Sequence, residues 1–386
     1  MKILYHHRTL GDGAEGIHIA SMVQAFRHLG HEVRVVSMIG ADTNVSTPRT
    51  EWMSRIVRRI PRVVYEAMEL LYSVAGYIRL VSEIRRWQPD LLYERYALFN
   101  LAGVMAARRA GIPLVLEVNA PLAWERARYE QLTMRRLARA CERMVCRRAD
   151  LVEVVSTPLK AHLLDLGVPA ERIAVVPNGA DPAVFCPDPE ARRDIRARLG
   201  IPSDCVVIGF SGILRPWHGA ELLVDAVAAL RTRRAVRLLI VGDGPSRESI
   251  EARARACGLD RQITITGRLP HDEIPRYIAA FDIGVSPRTT FYASPMKVPE
   301  YMAAGVAVVA PRTANLTDLI ADTRDGMLFT PDDADDLADT LRRLVEDSAT
   351  RAAIGRAARE TVLARRTWWH NAALVLDQAR GLRACA

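Results

Sequence analysis

Apolar and polar positions along the chain follow two alternating periods. Short apolar runs recur at 2–5, 32–37, 91–93, 113–117, 151–155 and 173–176. Between them lie longer stretches with apolar residues every three or four positions, at 17–28, 65–86, 97–109 and 124–147. The short runs read as buried strands and the long ones as amphipathic helices. Strand and helix in strict alternation predict a parallel sheet covered on both faces. The rhythm stops at 175–189, a stretch dense in Pro, Gly, Asn and Asp that reads as a connector. It restarts at 205–211 and continues with strands at 236–241, 262–265, 282–285, 306–309 and 326–329. Helical patterns at about 334–364 and 367–382 close the chain. The predicted architecture is α/β, with two doubly wound Rossmann-like domains facing a central cleft. The first spans 1–180 and takes back a C-terminal helix at about 366–386, bearing Trp368 and Trp369; the second spans 181–365.

Composition narrows the class. Half the 386 residues are apolar and a quarter charged, as in an ordinary globular protein. The formal charge of +8 is unevenly placed. Segment 49–86 carries eight Arg against four Glu, and segment 121–148 eight Arg against three Glu. Both look helical, lack interleaved aromatics and contain no nucleic-acid motif, so nucleic acid is not an expected partner. Contact with an anionic membrane surface is their functional reading, and a solvated basic face the plain one. No run of eighteen apolar residues occurs, and the first residues read as a strand rather than a signal peptide. The six cysteines show no CxxC pairing. The expectation is a reduced cytoplasmic protein without structural zinc, peripheral at the inner membrane face if the basic helices touch lipid.

The most informative segment is 292–310. Ser294 reads as an N-cap, Pro295 as a first helical residue, and Lys297 as a cation in the first turn, where the helix dipole disfavours it. Glu300 follows three residues on, so both side chains share one face. A phosphate on the cation and helix end, with a ribose diol on the carboxylate, explains that order. The alternative is an exposed Lys–Glu pair, although Glu before Lys is the favoured orientation. Pro299 would cost a hydrogen bond in a helix interior; a helix starting there leaves Lys297 in the loop.

Other constellations support a ligand site without proving one. Gly11, Gly13 and Gly16 form G-x-G-x-x-G after the first strand. The second strand ends without the acid that a dinucleotide ribose requires, and Asp42 lies too far on. Gly212, Arg215 and His218 follow the second domain's first strand in the mirrored position, with a guanidinium that can clamp phosphate oxygens. Glu117 and Asn119 end a central strand, where an acceptor hydroxyl can be oriented or a strand end simply capped. Gly242 and Gly244, and then Gly267 and Arg268, end further strands that can border a base. No zinc spacing and no G-x-S-x-G elbow is present.

Taken together these motifs resemble the retaining family 4 glycosyltransferases, whose two-domain fold is called GT-B. The similarity runs nearly end to end: the Gly loop 11–16 with His18, then 29–33, 176–181, 241–245 and, most specifically, 294–305. The resemblance implies a sugar nucleotide, UDP-linked as a first guess, held by the second domain. Glu300 would bind the ribose; Lys297, with Ser294, Pro295 and Met296 near it, the diphosphate; and Arg215 would add charge. Arg215, Lys297 and Glu300 would thus carry catalysis. Gly212, His218, Gly242, Gly267 and Arg268 would complete the donor site. Gly13, Gly16, His18, Glu117 and Asn119 would face a glycan, lipid-linked or small-molecule acceptor. Transfer would be retaining, without metal or other cofactor, and domain closure would bring donor and acceptor together. Three departures stand out. Tyr292 occupies the position, eight before Glu300, where the family often has a Glu; the first loop of the second domain is altered; and Pro299 sits in the motif helix. A non-catalytic nucleotide-sugar-binding subunit and a nucleotide-sugar epimerase are the alternatives, with an NAD-dependent oxidoreductase last.

Overall fold

The computed structural model describes residues 1–9, 13–37 and 60–384. Gly11, Asp42 and the part of the first basic segment at 49–59 lie outside the described residues. The chain separates into two compact units, Met1–Val176 with Trp368–Ala386, and Pro177–Thr367. The break thus falls a few residues before position 180.

The first unit contains β1 (Lys2–His7), β2 (Glu32–Ser37), β3 (Leu91–Arg95), β4 (Leu114–Val118), β5 (Leu151–Val154) and β6 (Ile173–Val175). They form one sheet in the order β2-β1-β3-β4-β5-β6, parallel throughout. β3, β4 and β5 are buried along nearly their whole length, which accounts for their near-continuous apolar sequence. The C-terminal helix Trp368–Ala384 packs on the helix Ala14–His28, with the Trp368 ring edge-on to His18 at 4.9 Å and Trp369 5.6 Å from His28.

The second unit contains β7 (Val206–Ser211), β8 (Val236–Val241), β9 (Ile263–Ile265), β10 (Ile283–Val285), β11 (Ala307–Pro311) and β12 (Met327–Phe329). Their order is β12-β11-β10-β7-β8-β9. Alternate residues of β7 enter separate cores: Val206, Ile208 and Phe210 join one, and Val207, with Cys205 just ahead of the strand, the other. Helices therefore cover both faces. In each unit strand order reverses beside the first strand, at β1/β3 and at β7/β10. Ligands in open α/β sheets bind beyond the strand ends at such a point.

Two predicted helices are each broken in two. The stretch 124–147 forms Leu122–Tyr129 and Arg135–Arg148. Gln131 between them is left-handed at φ 49°, and the Glu66 carboxylate accepts from the Thr133 and Met134 amides at 2.7 Å each. The stretch 334–364 forms Ala334–Glu346 and Ser348–Arg365, because Asp347 caps the second helix by accepting from the Ala349 and Thr350 amides.

Two glycines set the sheet-to-helix distance behind the second switch point. A Cβ on Gly209 would lie 2.2 Å from the Phe281 ring, and one on Gly284 2.5 Å from the Tyr301 ring. Gly209→Ala is expected to destabilise the unit by about 1–3 kcal/mol through overpacking. Thermal denaturation checks this, and an unchanged midpoint would show that the Phe281 ring simply moves aside.

Candidate functional site

The motif helix spans Lys297–Ala303, with Met296 at its N-cap position. Ser294 is not the cap: its hydroxyl accepts from the Asn178 amide at 2.9 Å, and its carbonyl accepts from Asn178 Nδ2 at 2.6 Å. The Asn178 of the connector thereby fixes the loop ahead of the helix. Pro299 is the third helical residue, where no backbone N–H is needed, so it costs the helix nothing. Lys297 is in the helix rather than in the preceding loop. Gly305, at φ 71°, ends the helix in a Schellman turn, with Gly305 N donating to Met302 O and Val306 N to Tyr301 O.

Val298, Tyr301 and Met302 face the core. Tyr301 Oη accepts from Ser211 N at 2.6 Å and bonds Ser211 Oγ at 2.9 Å, tying the helix to the end of β7. The next residue, Gly212, has φ 133°, and a Cβ there would lie 3.2 Å from Lys297 Nζ. The ammonium sits 4.1 Å from the Phe210 ring centroid. Burial lowers the Lys297 pKa to about 8, offset only in part by Glu300, and burial raises Glu300 to about 7, offset only in part by Lys297. Neither side chain has a hydrogen bond or ion pair among the described residues. A half-buried cation and a buried carboxylate with no hydrogen bond or ion pair are costly unless a ligand completes them.

The loops after β7, β8 and β9 are zipped together around this pair. Gly212 N donates to Val241 O at 2.9 Å, Leu214 N to Asp243 O at 2.9 Å, and Gly242 N to Thr266 Oγ1 at 3.2 Å. Gly242, Gly244 and Gly267 all have positive φ, and a Cβ on Gly242 would meet Gly212 O at 2.1 Å. His218 Nδ1–H donates to Ile213 O at 2.5 Å. Its pKa falls to about 4 through burial and then the Lys297 charge, so its Nε2 is a neutral acceptor in the ligand-free protein. Arg215 stands at the exposed rim with its guanidinium 5.2 Å from the Trp217 ring, and Arg268 is exposed on the β9 loop. The structure thus groups Gly212, His218, Lys297 and Glu300 closely and leaves Arg215 and Arg268 at the edge. Pro295 and Met296 flank Lys297; Tyr292 is buried, edge-on to Phe291.

In the first unit Glu117 is almost fully buried at the end of β4. It accepts from Tyr5 Oη at 3.0 Å, Tyr93 Oη at 2.9 Å, Asn119 Nδ2 at 2.5 Å and the Arg95 guanidinium. His18 Nδ1 lies 3.4 Å from the same carboxylate. Burial acts to raise the Glu117 pKa, but His18 and Arg95 outweigh it and hold the group ionised. Glu153 is pushed the other way, by burial and then by the Glu117 charge. Tyr93 Oη is 2.7 Å from Glu153 Oε2 as well as 2.9 Å from Glu117 Oε2. One hydroxyl has one hydrogen, which the ionised Glu117 takes, so a protonated Glu153 supplies the other.

Burial takes Glu117 and His18 out of direct reach of an acceptor. Beside them opens a cavity of about 470 Å³ whose lining includes Arg8, Glu15, Glu69, Arg95, Asn119 and Arg126. Asn119 is the one acceptor residue read from sequence that lines it. Gly13 caps the helix Ala14–His28 at φ −128°, and Gly16 N donates to Gly13 O at 3.0 Å; neither is left-handed. Sequence reading missed Arg8, Arg95, Tyr5, Tyr93 and Glu153. The legible signal was a Glu inside each otherwise apolar strand, at Glu117 and Glu153.

Comparison with known proteins gives the family and the fold. Residues 191–361 match the family described as glycosyl transferases group 1, and residues 16–184 match glycosyltransferase family 4. The 2-deoxystreptamine glucosyltransferase of Streptomyces kanamyceticus is 33% identical over 80% of this chain and 81% of its own. The GDP-mannose-dependent alpha-mannosyltransferase of Mycolicibacterium smegmatis is 30% identical over 91% of this chain and 88% of its own. HepE of Anabaena, solved in complex with UDP, superposes with a TM-score of 0.74 at 20% identity, over 99% of this chain and 100% of that one. Two parallel six-stranded sheets, the Lys297–Glu300 helix and these matches lead to one conclusion: the chain belongs to the family 4 glycosyltransferases, and it is a glycosyltransferase with the two-unit GT-B fold.

Proposed function

We propose that the chain moves a hexosyl group from a nucleoside-diphosphate sugar to a hydroxyl of a polar acceptor, with retention at the anomeric carbon and without a metal. The observation that carries this reading is the unpartnered Lys297–Glu300 pair beside the Gly212 loop. Lys297 receives the diphosphate, and Gly212, lacking a side chain, lets the phosphate reach it. Glu300 accepts from the two ribose hydroxyls. Gly242, Gly267 and Arg268 border the base, and Arg215 approaches the phosphates from the rim.

In the reaction, the bond between the anomeric carbon and the diphosphate oxygen breaks, and charge grows on that oxygen. Lys297 stabilises it in a site already shaped for the purpose. The acceptor oxygen forms the new bond on the same face, and its proton passes to the departing phosphate. No protein nucleophile is then needed. The cavity of the first unit, lined by charges of both signs, suits a hydroxylated or amino-bearing acceptor, whether a small molecule, a glycan or a lipid-linked sugar. UDP is the first base to test by its frequency in the family; GDP is the second, because a relative is named as GDP-mannose-dependent. Incubation with UDP-glucose or GDP-mannose and an acceptor panel, followed by proton NMR of the product's anomeric signal, tests the proposal. An α-linked product is expected; a β-linked product would refute retention, and donor conversion without acceptor would favour an epimerase.

The pKa shifts give the reaction a pH window. Lys297 loses its charge above about 8, and Glu300 loses its charge below about 7. Because kcat/KM reports the free enzyme, its profile is expected to be bell-shaped with limbs near those values. Glu300→Gln should lack the acid limb and keep the basic one. Ligand-free stability runs with opposite signs for the two groups. The raised Glu300 pKa favours folding below 4.5, and this contribution is lost as pH rises through about 7. The lowered Lys297 pKa favours folding above 10.5, and this contribution is lost as pH falls through about 8.

A further inference from the structure

The segment 286–296 joins β10 to the motif helix, and its path decides where Lys297 stands. The carbonyls at 290, 293 and 294 are taken up by two asparagine side chains from elsewhere in the second unit. Asn315 Nδ2 donates to Thr290 O at 3.1 Å and to Ala293 O at 2.6 Å. Asn178 Nδ2 donates to Ser294 O at 2.6 Å, and its backbone amide donates to Ser294 Oγ at 2.9 Å. Thr290 O also accepts from Ala293 N at 3.2 Å, which closes a turn. Asn178, Ser294 and Asn315 are all buried.

Both asparagines stand on fixed ground. Asn178 lies in the connector, where Ala180 N donates to Arg366 O at 3.0 Å. Ala180 and Phe185 of the connector enter the same core as Val298, Tyr301 and Met302 of the motif helix. Asn315 lies in the short helix Ala314–Thr317 after β11, whose Leu316 enters that core too.

The clamp has a cost. The Oδ1 atoms of Asn178 and Asn315 are buried with no hydrogen-bond partner among the described residues. Turning either carboxamide over would set its oxygen against loop carbonyls, which have no hydrogen to give, so the orientation is determined. Orphaned buried acceptors are destabilising and call for a reason beyond stability. Lys297 supplies one. It follows Ser294 by three residues, and its ammonium has the Phe210 ring beside it but no hydrogen bond among the described residues. Its place beside Gly212 therefore depends on the backbone that carries it.

We propose that Asn178 and Asn315 are positioning residues for the donor, fixing the backbone at 290–294 so that the Lys297 ammonium meets the diphosphate. The proposal rests on the reading of Lys297 and Glu300 as a nucleoside-diphosphate cradle. Neither asparagine has to touch the ligand, because each acts through the chain ahead of Lys297. A charge serves a site only when its supporting residues hold it to within about 0.5 Å of the productive position.

Equilibrium dialysis of the full chain with UDP, GDP and ADP tests the proposal as a double-mutant cycle. Asn178→Ala and Asn315→Ala should each weaken binding of the nucleoside diphosphate that wild type takes by about tenfold or more. In the Lys297→Met background the same substitutions should weaken it less than about twofold, because the group they position is gone. Ser294→Ala keeps all three carbonyl bonds and should cost less than about threefold. Circular dichroism at the dialysis temperature identifies the folded variants, and Asn178→Ala carries the test alone if Asn315→Ala does not fold. A plain packing role would lower the unfolding midpoint and leave the affinity of the folded protein unchanged. Folded variants that bind as wild type does, or that lose the same factor with and without Lys297, would overturn the proposal. A wild type that binds none of the three diphosphates would overturn the cradle reading along with it.

Discussion

Replacing Lys297 with methionine is expected to lower kcat/KM for transfer by about a hundred- to a thousandfold while making the ligand-free protein more stable. The two effects have one cause. Lys297 is held at the end of β7 with only the Phe210 ring and the distant charge of Glu300 to offset its burial. A desolvated cation is worth most to a diphosphate that gains charge as it leaves, and removing one such contact costs about that factor in rate. In the absence of ligand the same desolvation works against folding, and the unbranched Met keeps most of the packed volume. The gain in stability should be about 1 kcal/mol or more. Steady-state kinetics and thermal denaturation on one preparation read both effects. A variant that loses both activity and stability would mean that Lys297 is a packing residue.

The second large effect is expected in the first unit. Glu117→Ala leaves the Arg95 guanidinium buried without its carboxylate, together with two tyrosine hydroxyls that donate to it. Breaking such a pair from one side costs about 3–5 kcal/mol. Glu153→Gln should cost less than about 1 kcal/mol, because a neutral amide replaces a group that is already neutral. Urea unfolding of both variants separates the two carboxylates. Equal losses would show that Glu153 is ionised, and the assignment of the Tyr93 hydrogen would fall. Glu117→Ala should also weaken acceptor use, since Arg95 and Asn119 both line the cavity and both bond Glu117.

Most of the strand framework was legible because β3, β4, β5 and β7 are buried on both faces and so read as apolar runs. Helix breaks were less legible. The interruption at residues 130–134 depends on the distant Glu66, and the one at Asp347 on a cap hidden inside a continuous helical period. At the donor site, Lys297, Glu300 and Gly212 could be read because their oddness is local: a cation in a first turn and a glycine after a strand. Ser294 was misread for the same reason, since its real partner, Asn178, lies 116 residues away. The network around Glu117 was only half visible. Tyr5 lies 112 residues from Glu117, and Tyr93 lies 60 from Glu153, so only the folded sheet brings them together.

The central claim, that Lys297 and Glu300 form a nucleoside-diphosphate cradle, is tested most directly by thermal-shift titration of wild type and Glu300→Ala with UDP, GDP, ADP and NAD. A nucleoside diphosphate at a hundred times its dissociation constant is expected to stabilise wild type by about 2.7 kcal/mol and the variant much less. Stabilisation by none of the diphosphates, by NAD alone, or equally in both proteins would contradict it.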